Sequence, residues 1–195
     1  MKQEPDKKIS HNGIKNKIQL IKKHIEEKKI ITIERNGVGK NTRADGFPLL
    51  VTDTLLLMTL IVDFHDEGFL VMRLEDITDA YSNESDTFYE EICINEGLRN
   101  KEAENPLSNV TNIASILKQL FNYKKFITVQ CEYNGSELAY SIGKISSIEE
   151  NTIHFKNFDM MGMWEEKCRI IPLNKITLIS IDDHYSNIYY KYMGQ

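Results

Sequence analysis

The chain has 195 residues, with 24 basic and 29 acidic side chains for a formal net charge of −5, and 41% hydrophobic residues. That balance builds a core and excludes disordered and collagen-like chains. Its three cysteines, Cys93, Cys131 and Cys168, are scattered and form no CxxC pair, which reads as reduced thiols in a cytoplasm.

The N-terminal residues 1–13 read as a loose tail with no apolar stretch to serve as a signal. Ile14, Ile18, Ile21 and Ile25 then recur at spacings of 4, 3 and 4, the stripe of one helix face, with Ser10 or Asn12 as the cap. Strands are expected at Ile30–Arg35, Phe47–Thr52, Leu55–Val62, Phe69–Leu74 and Ile77–Tyr81. Turn signals separate them at Asn36-Gly37, Thr52-Asp53 and Asp66-Glu67-Gly68. Leu55–Val62 is the longest apolar run and falls far short of the roughly 20 residues of a membrane helix. A short helix follows at Asp86–Ile92, and a polar stretch ending at Pro106 is the linker. Val110, Ile113, Leu117 and Leu120 mark a second helix, capped by Ser108 or Asn109. Strands follow at Phe126–Tyr133, Leu138–Ile148, Thr152–Asn157, Glu166–Pro172 and Lys175–Ile181, and a short helix at Ser186–Tyr192 ends the series.

The two halves match in order. Lys28-Lys29-Ile30-Ile31-Thr32-Ile33 faces Lys124-Lys125-Phe126-Ile127-Thr128-Val129. Gly46 faces Gly143, Asp53 faces Glu150, and Asp76-Ile77-Thr78 faces Lys175-Ile176-Thr177, all at similar spacings. This pattern argues for duplication. It divides the chain into a tail at 1–13, a first repeat at 14–97, a linker at 98–107 and a second repeat at 108–195.

A helix followed by five short, bent antiparallel strands resembles the Sm-like fold. Val51-Thr52-Asp53 before Leu55-Leu56-Leu57 is similar to that family's turn between its second and third strands. Val71-Met72-Arg73 before Ile77 is similar to its approach to a short last strand. The resemblance implies an α+β chain of two tandem Sm-like units, each an N-terminal helix plus a five-stranded, strongly bent barrel, with short helices after the barrels. The family's RNA-binding members carry an Asn after the Asp and a Gly after the Arg. Here Thr54-Leu55 and Leu74-Glu75 stand instead, so the RNA pocket does not carry over.

Charge narrows the functions. Residues 1–30 hold nine lysines against four carboxylates, net +5, whereas residues 45–104 hold three basic against fifteen acidic side chains, net −12. A body so acidic in its middle repels phosphate. Asp63 and His65, with Asp66 and Glu67, offer no recognised metal-ligand spacing, and Asp159 and Asp182-Asp183-His184 add none. Asn36-Gly37-Val38-Gly39-Lys40 lacks the phosphate-loop spacing, and there is no nucleophile elbow. No enzymatic activity, cofactor or metal is expected. Met160-Met161-Gly162-Met163-Trp164 places adaptable and large apolar side chains in a turn, so Met160, Met161, Met163 and Trp164 are the candidate partner-binding residues. The expectation is a cytoplasmic, non-catalytic interaction module that binds a protein through a barrel edge or this apolar hairpin. An acidic inhibitor that neutralises a toxin is a specific version. The alternative is RNA or single-stranded nucleic-acid binding through Lys22, Lys23, Lys28 and Lys29 of the first helix.

Overall fold

The computed structural model describes residues 11–36, 38, 43–99, 101–133 and 140–193. Helix α1 (His11–Glu27) leads into β1 (Ile31–Glu34), β2 (Arg43–Gly46), β3 (Pro48–Val51), β4 (Leu55–Val62), β5 (His65–Arg73), a 3-10 turn at Leu74–Asp76, β6 (Asp79–Tyr81) and α2 (Glu84–Asn95). A 3-10 turn at Lys101–Glu104 precedes α3 (Ile113–Phe121), β7 (Ile127–Gln130), β8 (Tyr140–Ile148), β9 (Thr152–Asn157) and β10 (Arg169–Pro172). A 3-10 turn at Leu173–Lys175, β11 (Leu178–Ile181) and α4 (His184–Met193) complete the order. The tail, Ser10, most of the Asn36–Lys40 loop and the side chains of Asn12 and Ile14 lie outside the described residues.

The strands form two open sheets, one ordered β2-β1-β6 and the other β10-β9-β8-β7-β11-β5-β4-β3. This corrects the expectation of two closed, five-stranded Sm-like barrels. Two causes are visible. The expected strand Phe47–Thr52 belongs to a longer segment that breaks at Phe47, so β2 pairs with β1 and β3 pairs with β4. At that break Gly46 passes so close to β4 that a Cβ there would stand 1.9 Å from the Thr59 carbonyl oxygen, a space only glycine fills. Further along, β5 pairs on its outer side with β11, Phe69 opposite Ile181 and Met72 opposite Leu178. The sheet therefore runs on through both halves. Arg73, one of the residues behind the Sm-like resemblance, donates to the Ile176 and Leu173 carbonyls at 2.6 and 2.9 Å and braces this join.

Side-chain alternation along the large sheet makes two cores. Leu56 and Met58 of β4, Leu70 and Met72 of β5 and Leu178 of β11 face Ile31 and Ile33 of β1, with Ile21 of α1. Leu55 and Leu57, Phe69 and Val71, and Ile179 and Ile181 face the other way, toward Ile116, Leu117 and Leu120 of α3. Burial on both faces is why Leu55–Met58 reads as unbroken apolar sequence. Each fully buried aliphatic side chain contributes about 1.5–3 kcal/mol.

Local details differ from the expected turns and caps. The β4–β5 turn is Asp63-Phe64, both left-handed at φ 49° and 62°, with Val62 opposite His65. That is the two-residue hairpin geometry, and it moves the turn ahead of Asp66-Glu67-Gly68. Phe64 is held there by ring contact with Tyr89 of α2 at 4.6 Å. Helix α3 is capped by Asn112 in a reciprocal pair with Ser115, rather than by Ser108 or Asn109, whose amides donate to Gln119.

Candidate functional site

The Met-Trp segment is a loop between β9 and β10, closed where Phe158 bridges Trp164. Asp159 fixes its shape: Oδ1 accepts from the Met161 and Met163 amides, each at 2.9 Å, and the Asp159 amide donates to the Met163 carbonyl at 3.0 Å. Aromatic rings lie beneath. Trp164 meets Phe126 and Phe158 edge-on at 5.5 and 5.4 Å, and α4 brings Tyr190 to Phe126 and Tyr189 to Phe158 at 5.3 and 4.8 Å. The Tyr189 hydroxyl donates to the Met160 carbonyl at 2.8 Å, tying helix to loop. Asp183 secures the start of α4, accepting from the Ser186 amide at 2.8 Å and hydroxyl at 2.7 Å.

The structure divides the four candidate residues. Trp164 is 37% exposed and partly packed, whereas Met160, Met161 and Met163 are 85%, 82% and 64% exposed. Beside Met160 opens a pocket of about 260 Å³ with apolar walls of Tyr140, Ile142, Phe158 and Tyr185. Its polar side is the ion pair of Glu165 and Arg169, with Arg169 also donating to the Tyr140 carbonyl at 2.7 Å. The Arg169 guanidinium holds the Glu165 carboxyl below the usual carboxylate range. Lys144 stands over the Trp164 ring at 5.5 Å, a cation–π contact on the partly exposed indole.

The other residues singled out in the sequence are not gathered with these. Lys22, Lys23, Lys28 and Lys29 lie at the exposed end of α1 and just after it. Lys23 and Lys29 approach Glu27 at 3.9 and 3.1 Å, which pulls the Glu27 carboxyl down. Helix α1 carries no Phe, Tyr or Trp on which a base could stack. The polar residues near Asp63 and His65 have structural partners: His65 Nδ1 to the Asp63 carbonyl at 2.8 Å, Asp66 to Lys101 at 3.4 Å and Glu67 to the His184 amide at 3.2 Å. Asp182 receives Tyr123 and Lys125 at 2.6 and 2.5 Å. Among the described residues no group of three or more His, Cys, Asp or Glu side chains is placed to hold a metal ion.

One cluster escaped the sequence. Arg35, only 2% exposed, directs Nη2 to Glu132 Oε2 at 2.5 Å, and Asp76 Oδ2 stands 3.9 Å away. Thr177 donates to the same Glu132 oxygen at 2.6 Å, and the Tyr133 hydroxyl donates to Asp76 at 2.5 Å. Burial pushes both the Asp76 carboxyl and the Tyr133 hydroxyl up. No spacing signals this set, because its members come together only when the halves join.

The barrel-edge route to a partner falls with the barrels: in the open sheet the outer strands are β3 and β10, and no barrel edge exists. The expected interaction module, its toxin-neutralising version included, therefore loses its barrel-edge mechanism. Among the described residues no helix is long and apolar enough to cross a membrane. Compared with protein-family models, curated proteins and solved structures, the chain matches none.

Proposed function

We propose that this is a non-catalytic recognition protein whose Met160–Trp164 loop, together with α4, binds a protein partner. The pocket between Tyr140, Phe158 and Tyr185 receives one large apolar side chain of that partner. The observation that carries the reading is the near-complete exposure of Met160 and Met161 on a loop fixed by Asp159. A loop whose backbone is already fixed lowers the ordering cost of association, and its methionine side chains adapt to the surface they meet. The half-packed Trp164 and the adjacent pocket supply the buried anchor that protein contacts use.

The test is affinity capture with the whole protein, followed by measured binding of the captured partner. Met160→Ser, Met161→Ser and Met163→Ser together change only exposed side chains, so the melting temperature should hold. Partner affinity should fall about tenfold or more, a loss of ~1.4 kcal/mol or greater. Unchanged affinity in that variant would overturn the reading, as would loss of binding on reversing Lys22, Lys23, Lys28 and Lys29 to Glu instead.

A further inference from the structure

Helices α1 and α2 present opposite charges to water on faces of matching geometry. In α1, Lys15, Gln19, Lys22 and Glu26 recur at spacings of 4, 3 and 4, which puts them on one face, and all four are exposed. In α2, Glu84, Phe88, Glu91 and Asn95 recur at the same spacings and are exposed as well, with Cys93 buried on the opposite side. Helix α2 holds four carboxylates and no basic residue.

Neither face finds its complement within the chain. Lys23 and Lys29 approach Glu27, but among the described residues no ion pair engages Lys15 or Lys22. None reaches α2 either. Its Glu90 and Asp86 accept from the Ile30 and Asn83 amides at 2.7 Å, away from the face that carries Glu84 and Glu91. Between those two carboxylates Phe88 stands 70% exposed, and Ile94 borders the same face at 36%.

The spacing says what fits. Lys15 and Lys22 are two helical turns apart, and so are Glu84 and Glu91, a rise of about 10.5 Å in each helix. Laid side by side in the same direction, Lys15 meets Glu84, Lys22 meets Glu91 and Glu26 meets the uncharged Asn95. Phe88 then falls on Gln19 and the aliphatic stems of the two lysines. One chain carries both sides of this match, which makes the occupant of each face a second copy. The net +5 of residues 1–30 and the net −12 of residues 45–104 become the two sides of one contact.

We infer that the protein associates with a second copy of itself, the lysine face of α1 in one copy seated on the acidic face of α2 in the other. Steered by charge and anchored by the Phe88 ring, the contact is reversible and weakens with salt. Sedimentation velocity of the full chain should show association in about 50 mM NaCl, with a dissociation constant at least tenfold larger in about 500 mM. Lys15→Glu with Lys22→Glu, and separately Glu84→Lys with Glu91→Lys, change only exposed side chains. Each reversed protein should stay folded and associate about tenfold or more weakly than wild type. Mixing the two sets an acidic α1 against a basic α2 and should restore association. Phe88→Ser should weaken it with the melting temperature unchanged, and this variant decides if a reversed protein fails to fold. A wild type that stays monomeric at low salt would overturn the inference and show that these faces meet only water. Association indifferent to salt, a reversed protein or Phe88→Ser associating like wild type, or a mixture that stays apart would overturn it too.

Discussion

Arg35 and Glu132 are 97 residues apart in sequence and 2.5 Å apart across the join of the two halves, with almost no access to water. Removing one member strands the other in low dielectric. Glu132→Gln or Arg35→Met should therefore cost about 3–5 kcal/mol in urea unfolding. Replacing both by methionine should recover most of that loss. A double variant as unstable as the singles would show that the pair is more than a matched set of buried charges.

Asp76 carries a pH dependence of defined sign. Burial raises its carboxyl above the unfolded value, and the Tyr133 hydroxyl and the neighbouring Arg35 only partly oppose this. The folded state thus favours the proton. Its contribution to stability is fully present below the unfolded pKa and is lost as pH rises through the folded pKa. Asp76→Asn mimics the protonated form and still accepts from Tyr133. It should gain on the wild type steadily as pH is raised from about 3 to 7. An unfolding free-energy difference that is flat with pH would contradict this assignment.

Two glycines sit against strands rather than in open turns. A Cβ at Gly46 would meet the Thr59 carbonyl oxygen at 1.9 Å, and one at Gly143 the Lys156 carbonyl oxygen at 2.1 Å. Alanine at either position forces backbone apart and should cost about 1–3 kcal/mol. Thermal melts of the two single variants measure it, and an unchanged midpoint would mean that the strands separate freely.

Asp159→Ala should loosen the methionine loop and little else. Two amide bonds to one carboxylate are lost, each worth about 1 kcal/mol locally. Hydrogen exchange at Met161 and Met163 should quicken while the sheet keeps its protection. Equal acceleration across β9 and β10 would show that the loop and sheet open together.

The cysteines should react in a fixed order. Cys168 is half-buried, whereas Cys93 and Cys131 are buried. Burial, with Glu132 nearby, pushes the Cys131 thiol up to about 11, and burial also raises Cys93. Alkylation near neutral pH should mark Cys168 in the folded protein and the other two only in denaturant. Prompt native labelling of Cys131 would indicate that its core opens readily.

The sequence was legible where burial imposed a pattern. Leu55–Val62 and Thr152–Asn157 are strands within the expected limits, because one is buried on both faces and the other alternates Ile153 and Phe155 inward. Strand β2 was invisible: Arg43-Ala44-Asp45-Gly46 has no strand-like composition and is extended by its pairing with β1. The turn at Asp63-Phe64 depends on Tyr89, supplied by a helix that follows later. Closed barrels were expected because local strand order looks the same whether a sheet closes or continues. Only the distant pairing of β5 with β11 decides. The methionine loop could be read as an apolar turn, but its rigidity comes from Asp159 and Tyr189, and the Arg35 cluster left no trace in spacing.

Strand β11 comes long after β5 in the chain, yet it lies in the middle of the large sheet, between β7 and β5. On the ribosome β5 must therefore wait with its outer side unpaired, Val71 and Met72 paired to β4 but without Ile179 and Leu178. The large sheet closes up only when Leu178–Ile181 slots between β5 and β7, so this strand acts as a keystone, and the interval before it arrives is when a chaperone is most needed.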